Sequence, residues 1–142
     1  MSWAAVAVAA VSAAYAGYTQ HQNSKYQEKQ AEADAQAQLA RGRLEAERIR
    51  KEKEKAQSRA RAAAAENGID VNEGTSIVIN DQIEQDANYD ANMAEITGYN
   101  SSQRLKAEAS MHKSNAQSAL IGGALGATSS GVSAYGARGG WK

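Results

Sequence analysis

The chain opens on an apolar run, passes through a long charged middle and returns to small uncharged residues. From Trp3 to Tyr18, "WAAVAVAAVSAAYAGY", there is no charge. Ala5, Ala9, Ala13 and Gly17 recur every fourth residue, while Val8, Val11, Tyr15 and Tyr18 form a bulkier stripe at steps of three and four. Both spacings are helical. Residues 1–18 are therefore read as an apolar N-terminal helix. Its smooth Ala/Gly face suits helix packing, and its bulky stripe, together with Trp3, suits a membrane surface. Aromatic residues at the two ends of an apolar segment fit the membrane–water interface. Two other readings stand beside this one. The segment also suits an Ala-rich helix packed on a partner helix. It also suits a signal peptide, with "AYA" at 14–16 as the small-x-small site, although no Lys or Arg precedes it.

Residues 19–24, "TQHQNS", read as a polar connector into a long charged helix, the whole segment spanning 19–67. Ala, Glu, Gln, Lys and Arg dominate it, and all favour helix. Glu47/Lys51, Arg48/Glu52 and Arg50/Glu54 stand four apart, each pair adding a few tenths of a kcal/mol at about the 0.2–0.5 level. Tyr26, Leu39, Leu44 and Ile49 are too sparse for a clean heptad, so the helix is expected to be largely solvated. Gly42 reads as a tolerated weak point.

A turn is expected at 68–75, with Gly68 in the left-handed position after the helix and Gly74 as a second turning point. Thr75 or Ser76 can cap the next helix, 76–117. Ile79, Ile83, Ala87 and Ala91 make one stripe of that helix, and Tyr89, Met93, Ile96 and Tyr99 another. Gly98 and Asn100–Ser102 predict a kink or break. Residues 118–142 form a small-residue apolar segment in which Leu120, Ile121, Leu125, Val132 and Tyr135 are candidates for membrane contact. Gly122 and Gly126 give a GxxxG spacing for helix packing. A flexible Gly/Ser tail is the alternative.

Two long helices of similar length joined by a short turn predict an all-α fold, a long antiparallel helical hairpin with apolar helical N- and C-terminal segments. Neither terminal segment is a conventional lone transmembrane helix. Residues 3–18 would extend roughly 24 Å, short of a hydrocarbon core ~30 Å thick. The C-terminal segment carries Thr128, Ser129, Ser130 and Ser133, which are costly against lipid but acceptable against a lumen or another copy.

Composition sharpens this picture. The chain has 142 residues and no Pro, Cys or Phe. Without Pro, long uninterrupted helices are allowed; without Cys, disulfides and thiolate metal sites are excluded. Most of the apolar content is Ala, which cannot build a thick core, so stability must come from helix propensity, close packing or assembly. The formal charge is zero but unevenly laid out. Residues 25–66 hold 11 Lys/Arg and 8 Asp/Glu; 67–100 hold 7 acids and no base; 101–142 hold 5 bases and one acid. This basic–acidic–basic order can orient the chain against partners.

Candidate chemistry is sparse. His21 and His112 lack partners at metal-ligand spacing and read as surface residues. No nucleophile elbow, phosphate-binding loop or zinc-protease motif occurs, so no enzyme, cofactor or metal is expected. The run "RIRKEKEKAQSRAR" could touch phosphate, but its interleaved Glu residues weaken that reading. Asp81, Glu84, Asp86, Asp90 and Glu95 read as a solvated acidic face, or as the lining of a conduit whose like charge keeps DNA from sticking.

The layout resembles the small internal virion proteins of short-tailed bacteriophages. The likeness rests on the apolar start near Trp3, the long Ala/Gln/Arg helix and the turn "ARAAAAENGIDVNEGTS". It extends through "ANYDANMAEI" and the tail "GALGATSSGVSAYG", and so covers nearly the whole chain. The resemblance implies a protein packaged near the portal that leaves the particle before the genome and assembles in the host envelope. It implies a homo-oligomeric ring in the host outer membrane that serves as a channel for double-stranded DNA and larger ejection proteins. Other ejection and core proteins, and portal or tail proteins, are the implied partners. A membrane-anchored stalk, similar to the peripheral stalk of rotary ATPases, is the alternative, as is a purely structural virion scaffold.

Overall fold

A computed structural model describes residues 3–136, with side chains described from 7 to 129. It contains two helices, α1 (Trp3–Glu66) and α2 (Thr75–Gly136), packed against each other. Val132, Tyr135 and the side chains of Trp3 and Ala5 fall outside the described side chains.

α1 runs unbroken through 19–24, where a connector was expected. The polar side chains there bond within the helix or across to α2. Thr19 Oγ1 donates to the Tyr15 carbonyl at 3.0 Å, and Gln22 Nε2 donates to the Tyr18 hydroxyl at 2.8 Å. Ser24 is buried. None of these residues removes a backbone donor, so nothing in the stretch forces the helix to stop. α2 likewise continues through Gly98 and Asn100–Ser102 without a break and on past residue 118 as one helix. Ser102, read as part of a break, is a buried contact residue.

The turn follows from its backbone bonds. The Ile69 amide donates to the Ala64 carbonyl at 2.9 Å, and the Gly68 amide donates to that of Ala65 at 3.1 Å. These two bonds make a Schellman motif, which satisfies carbonyls that the helix end would otherwise leave open. It requires a left-handed residue, and Gly68 takes it at φ 70°. Asp70 Oδ1 then accepts from the Asn72 amide at 2.9 Å, tightening the loop. Gly74, at φ 63°, supplies the carbonyl that accepts the first helical bond of α2, from Val78 at 3.4 Å. Gly74 thus stands at the N-cap of α2, one residue ahead of Thr75 and two ahead of Ser76, the expected caps.

A side chain at Gly68 meets open space, so only its backbone conformation resists substitution. A left-handed L-residue costs about 1–2 kcal/mol, while a lower unfolded-state entropy returns about 0.4–1 kcal/mol. Gly68→Ala is expected to lower stability by about 0.5–1 kcal/mol on that balance. Urea unfolding followed by circular dichroism reads this directly, and an unshifted midpoint would refute the conformational argument.

The described chain divides into two compact units. One contains residues 34–104, including the turn; the other pairs the α1 residues up to 33 with the α2 residues from 105 onward. Each is a stretch of antiparallel helix pair with an unusually thin contact layer. The buried apolar side chains of the first unit are Ala35, Ala46 and Ala91; those of the second are Ala31, Ala109 and Ala116. Buried Ser76 and Ser102 join the first set, and Ser24 the second. Among the described residues every buried apolar side chain is therefore alanine. Ile83, Leu39, Ile49 and Leu105 are only half-buried.

Candidate assembly surface

Glycine sets how closely the helices approach. In the 34–104 unit, a methyl group placed on Gly98 would stand 2.8 Å from the Gly42 Cα and 2.9 Å from the Gln38 carbonyl oxygen. One placed on Gly42 would meet the Ala94 carbonyl oxygen and the Gly98 Cα, each at 2.9 Å. In the other unit a methyl on Gly17 would meet the Gly123 Cα at 2.9 Å and the Ala119 carbonyl oxygen at 3.0 Å. Backbone therefore lies on backbone at both places, the approach that small residues permit. Gly42 is a contact residue rather than a weak point in a solvated helix.

The residues proposed from sequence for helix packing distribute unevenly. Ala13 and Gly17 are half-buried along the helix contact, whereas Ala9 is exposed. Gly126 is half-buried, its added methyl 3.9 Å from the Ala13 Cβ. Gly122 is exposed with open space around it, and the contact is made by its neighbour Gly123. A one-residue step turns a helix by about 100°, which is why Gly122 faces away. The sequence does carry a signal for the right pairs. Gly17 and Gly42 are 25 residues apart, and so are Gly98 and Gly123. Within its own unit each α1 glycine lies against its α2 counterpart, Gly17 against Gly123 and Gly42 against Gly98.

The bulky side chains point outward. Val8, Val11, Tyr15, Tyr18, Leu120, Ile121 and Leu125, the described candidates for membrane contact, are all exposed. In the 34–104 unit the stripe Tyr89, Met93, Ile96 and Tyr99 is exposed as well, with Leu44 and Val78. Of the first α2 stripe, Ala91 is buried, Ile83 and Ala87 are half-buried and Ile79 is exposed. Steps of three and four place Ala87, Ala91 and Gly98 toward α1 and Tyr89, Met93 and Ile96 on the reverse side. No described helix is long and apolar enough to cross a membrane.

Charges tie the two helices in the 34–104 unit. Arg50 Nη2 donates to Glu95 Oε1 at 2.8 Å, reaching across to α2 instead of along its own helix to Glu54. Lys53 pairs with Glu84 at 3.8 Å. Along α1, Arg48 pairs with Glu45 at 2.9 Å and with Glu52 at 3.6 Å. Lys51 hydrogen-bonds Glu47 at 2.8 Å; this bond holds the Glu47 carboxyl below, and the Lys51 ammonium above, their ordinary values. Of the five candidate lumen acids, Glu84 and Glu95 are thus spent on α1, while Asp81, Asp86 and Asp90 are exposed and have no ion pair among the described residues.

The histidines lie at the helix contact rather than on the open surface. His21 is half-buried, and its Nδ1 is 2.9 Å from the Ala116 carbonyl oxygen of α2. A carbonyl only accepts, so Nδ1 carries the proton and donates. His112 is half-buried too, with Nε2 3.6 Å from Glu108 Oε1. Among the described residues no group of three or more His, Cys, Asp or Glu could hold a metal ion. The chain matches no protein-family model, no curated protein and no solved structure.

Proposed function

We propose that this chain is a phage internal virion protein, stored inside the particle and ejected into the host envelope. There it oligomerises into an outer-membrane channel that delivers the genome and the other ejection proteins. The reading is supported by the resemblance of the whole layout to that family. It draws its physical weight from one observation: alanine fills the contact between the helices while the bulky apolar side chains face outward. A chain built this way keeps little apolar surface for its own core and offers most of it to neighbours. Exposed apolar surface of this extent marks an interaction site.

The role is non-catalytic. A thin helix pair without a large core suits storage near the portal and passage through a narrow tail. Val8, Val11, Tyr15 and Tyr18 on α1, with Leu120, Ile121 and Leu125 on α2, turn toward lipid once copies have gathered. A single copy lacks a spanning helix among its described residues, so insertion follows assembly. Asp81, which α1 leaves unpaired, then repels DNA from the wall of the conduit. Portal or tail proteins are its partners before ejection, and the host outer membrane and periplasm its location afterwards.

Purified protein added to vesicles of outer-membrane-like lipid is expected to release an entrapped dye and to form rings with open centres in electron microscopy. Absence of both release and rings would remove the channel and favour a stalk or scaffold.

A further inference from the structure

Ion pairing within the 34–104 unit leaves its two helices with opposite unspent charge. On α2, Asp81, Asp86 and Asp90 have no ion-pair partner, and residues 75–100 contain no base. Among the described residues of α1 in this unit, Arg41, Arg43, Lys55, Arg59 and Arg61 have none, nor do Asp34, Glu54 and Glu66, which leaves a net excess of bases. Helical spacing puts Arg41, Lys55 and Arg59 in one row along α1 with Glu45, Arg48 and Glu52, which pair with one another, and Leu44, 66% exposed, lies next to this row near Arg41 and Arg48. The same spacing puts Asp86 and Asp90 beside the outward stripe of Tyr89, Met93 and Ile96, where Tyr89 is 66% exposed. The outward face of α2 is therefore edged by acids, whereas the outward row of α1 near Leu44 carries a net excess of bases.

We infer that the outward α2 face, Tyr89, Met93 and Ile96 edged by Asp86 and Asp90, docks on the outward α1 face of a second copy. There Asp86 and Asp90 meet Lys55 and Arg59. Two α2 faces brought together would oppose carboxylates to carboxylates, and two α1 faces would bring two net basic rows together. Like charges across an interface cost several kcal/mol at about the scale that suppresses wrong partners. The favoured contact is thus α2 on α1, which uses a different surface on each copy. Such head-to-tail contacts close into rings or run on as filaments, whereas a contact between identical faces stops at a dimer. This inference rests on the assembly proposed above and names the surface that drives it. The contact needs no lipid, so it operates in solution.

Sedimentation velocity of the full chain at low salt tests it, with circular dichroism confirming helix content. The wild-type chain is expected to form species larger than a dimer. Raised salt should weaken them, because exposed charges are screened beyond about 3 Å at 1 M salt. Asp86→Lys with Asp90→Lys, and separately Lys55→Glu with Arg59→Glu, should each weaken association by about tenfold or more. Mixing the two variants should restore it, since each reversed face then meets an opposite charge. Association that both reversals leave unchanged, or that the mixture fails to restore, overturns this surface while leaving assembly intact. A wild-type chain that stays monomeric both in solution and on vesicles overturns the surface and the channel reading together. One that assembles only on vesicles overturns the surface alone.

Discussion

Gly98→Leu is expected to destabilise the protein by about 1–3 kcal/mol, the usual range for forcing bulk into a tight contact. The obstacles are backbone atoms, the Gly42 Cα at 2.8 Å and the Gln38 carbonyl oxygen at 2.9 Å from an added methyl. No rotamer change moves them aside, so α1 and α2 must separate locally. Separation loosens the alanine contacts at Ala46 and Ala91, both fully buried, and pulls Arg50 away from Glu95. Opposing this, leucine is a better helix former than glycine by about 0.8 kcal/mol. That gain belongs to any exposed helical glycine, so Gly122→Leu serves as the matched comparison. A side chain at Gly122 meets nothing within 4 Å. Its variant should melt at or above the parent temperature, while Gly98→Leu should melt several degrees below it, at about 2–4 °C per kcal/mol for a chain of this size. Equal melting temperatures for the two variants would show that backbone contact at Gly42 and Gly98 is not what sets the helix approach.

The second large effect concerns the apolar faces near the chain ends. Val11→Asp combined with Ile121→Asp is expected to abolish dye release from vesicles while leaving the helix pair folded. Both positions are exposed, at 69% and 62%, so neither substitution buries a charge within the chain. If these side chains meet hydrocarbon in the assembled state, each carboxylate costs about 2.5–3.5 kcal/mol there. Two per copy amount to about 5 kcal/mol or more, and every 1.4 kcal/mol is a factor of ten in partition. Release should therefore fall more than about a thousandfold per inserted copy. The comparison is Tyr89→Ser with Met93→Ser, on the α2 face assigned to a neighbouring copy. That pair should weaken association in solution and lower release only through the smaller number of assemblies. Release that survives the aspartate pair would mean that Val11 and Ile121 do not contact lipid.

Several features were already legible residue by residue. A proline-free chain rich in Ala, Glu, Lys and Arg has little choice but helix. Gly68 announced the end of α1 because a Schellman motif needs a residue that tolerates positive φ, and the chain offers glycine there. At 19–24 and at 98–102 the helices run on without a break, for a common reason. Polar and small residues favour loops elsewhere, whereas on these helices several of them are contact residues. Ser24 and Ser102 are buried, and His21 bonds across to α2. Amphipathic reasoning searches for a stripe of large apolar side chains turned inward. In this chain the large apolar stripe faces outward, and the seam is made by small residues such as Ala87, Ala91, Ala13 and Gly17.

The sequence by itself determined the helical class, the position of the turn, the scarcity of core-forming side chains and the uneven layout of charge. Each depends on local backbone preference or on counting, and neither needs a partner helix. Only the tertiary structure decided the register of α1 against α2. Register depends on which backbone atoms can touch, and glycine announces that only when its opposite number is known. It pairs Gly42 with Gly98 and Gly17 with Gly123, sends Arg50 to Glu95, and turns Gly122 outward where Gly123 turns in. It also sorts the acids of α2 into those that α1 neutralises and those, Asp81, Asp86 and Asp90, that remain for something else. Propensity acts along one helix, but contact distance and ion pairing act between two, and that is why this division needed the folded chain.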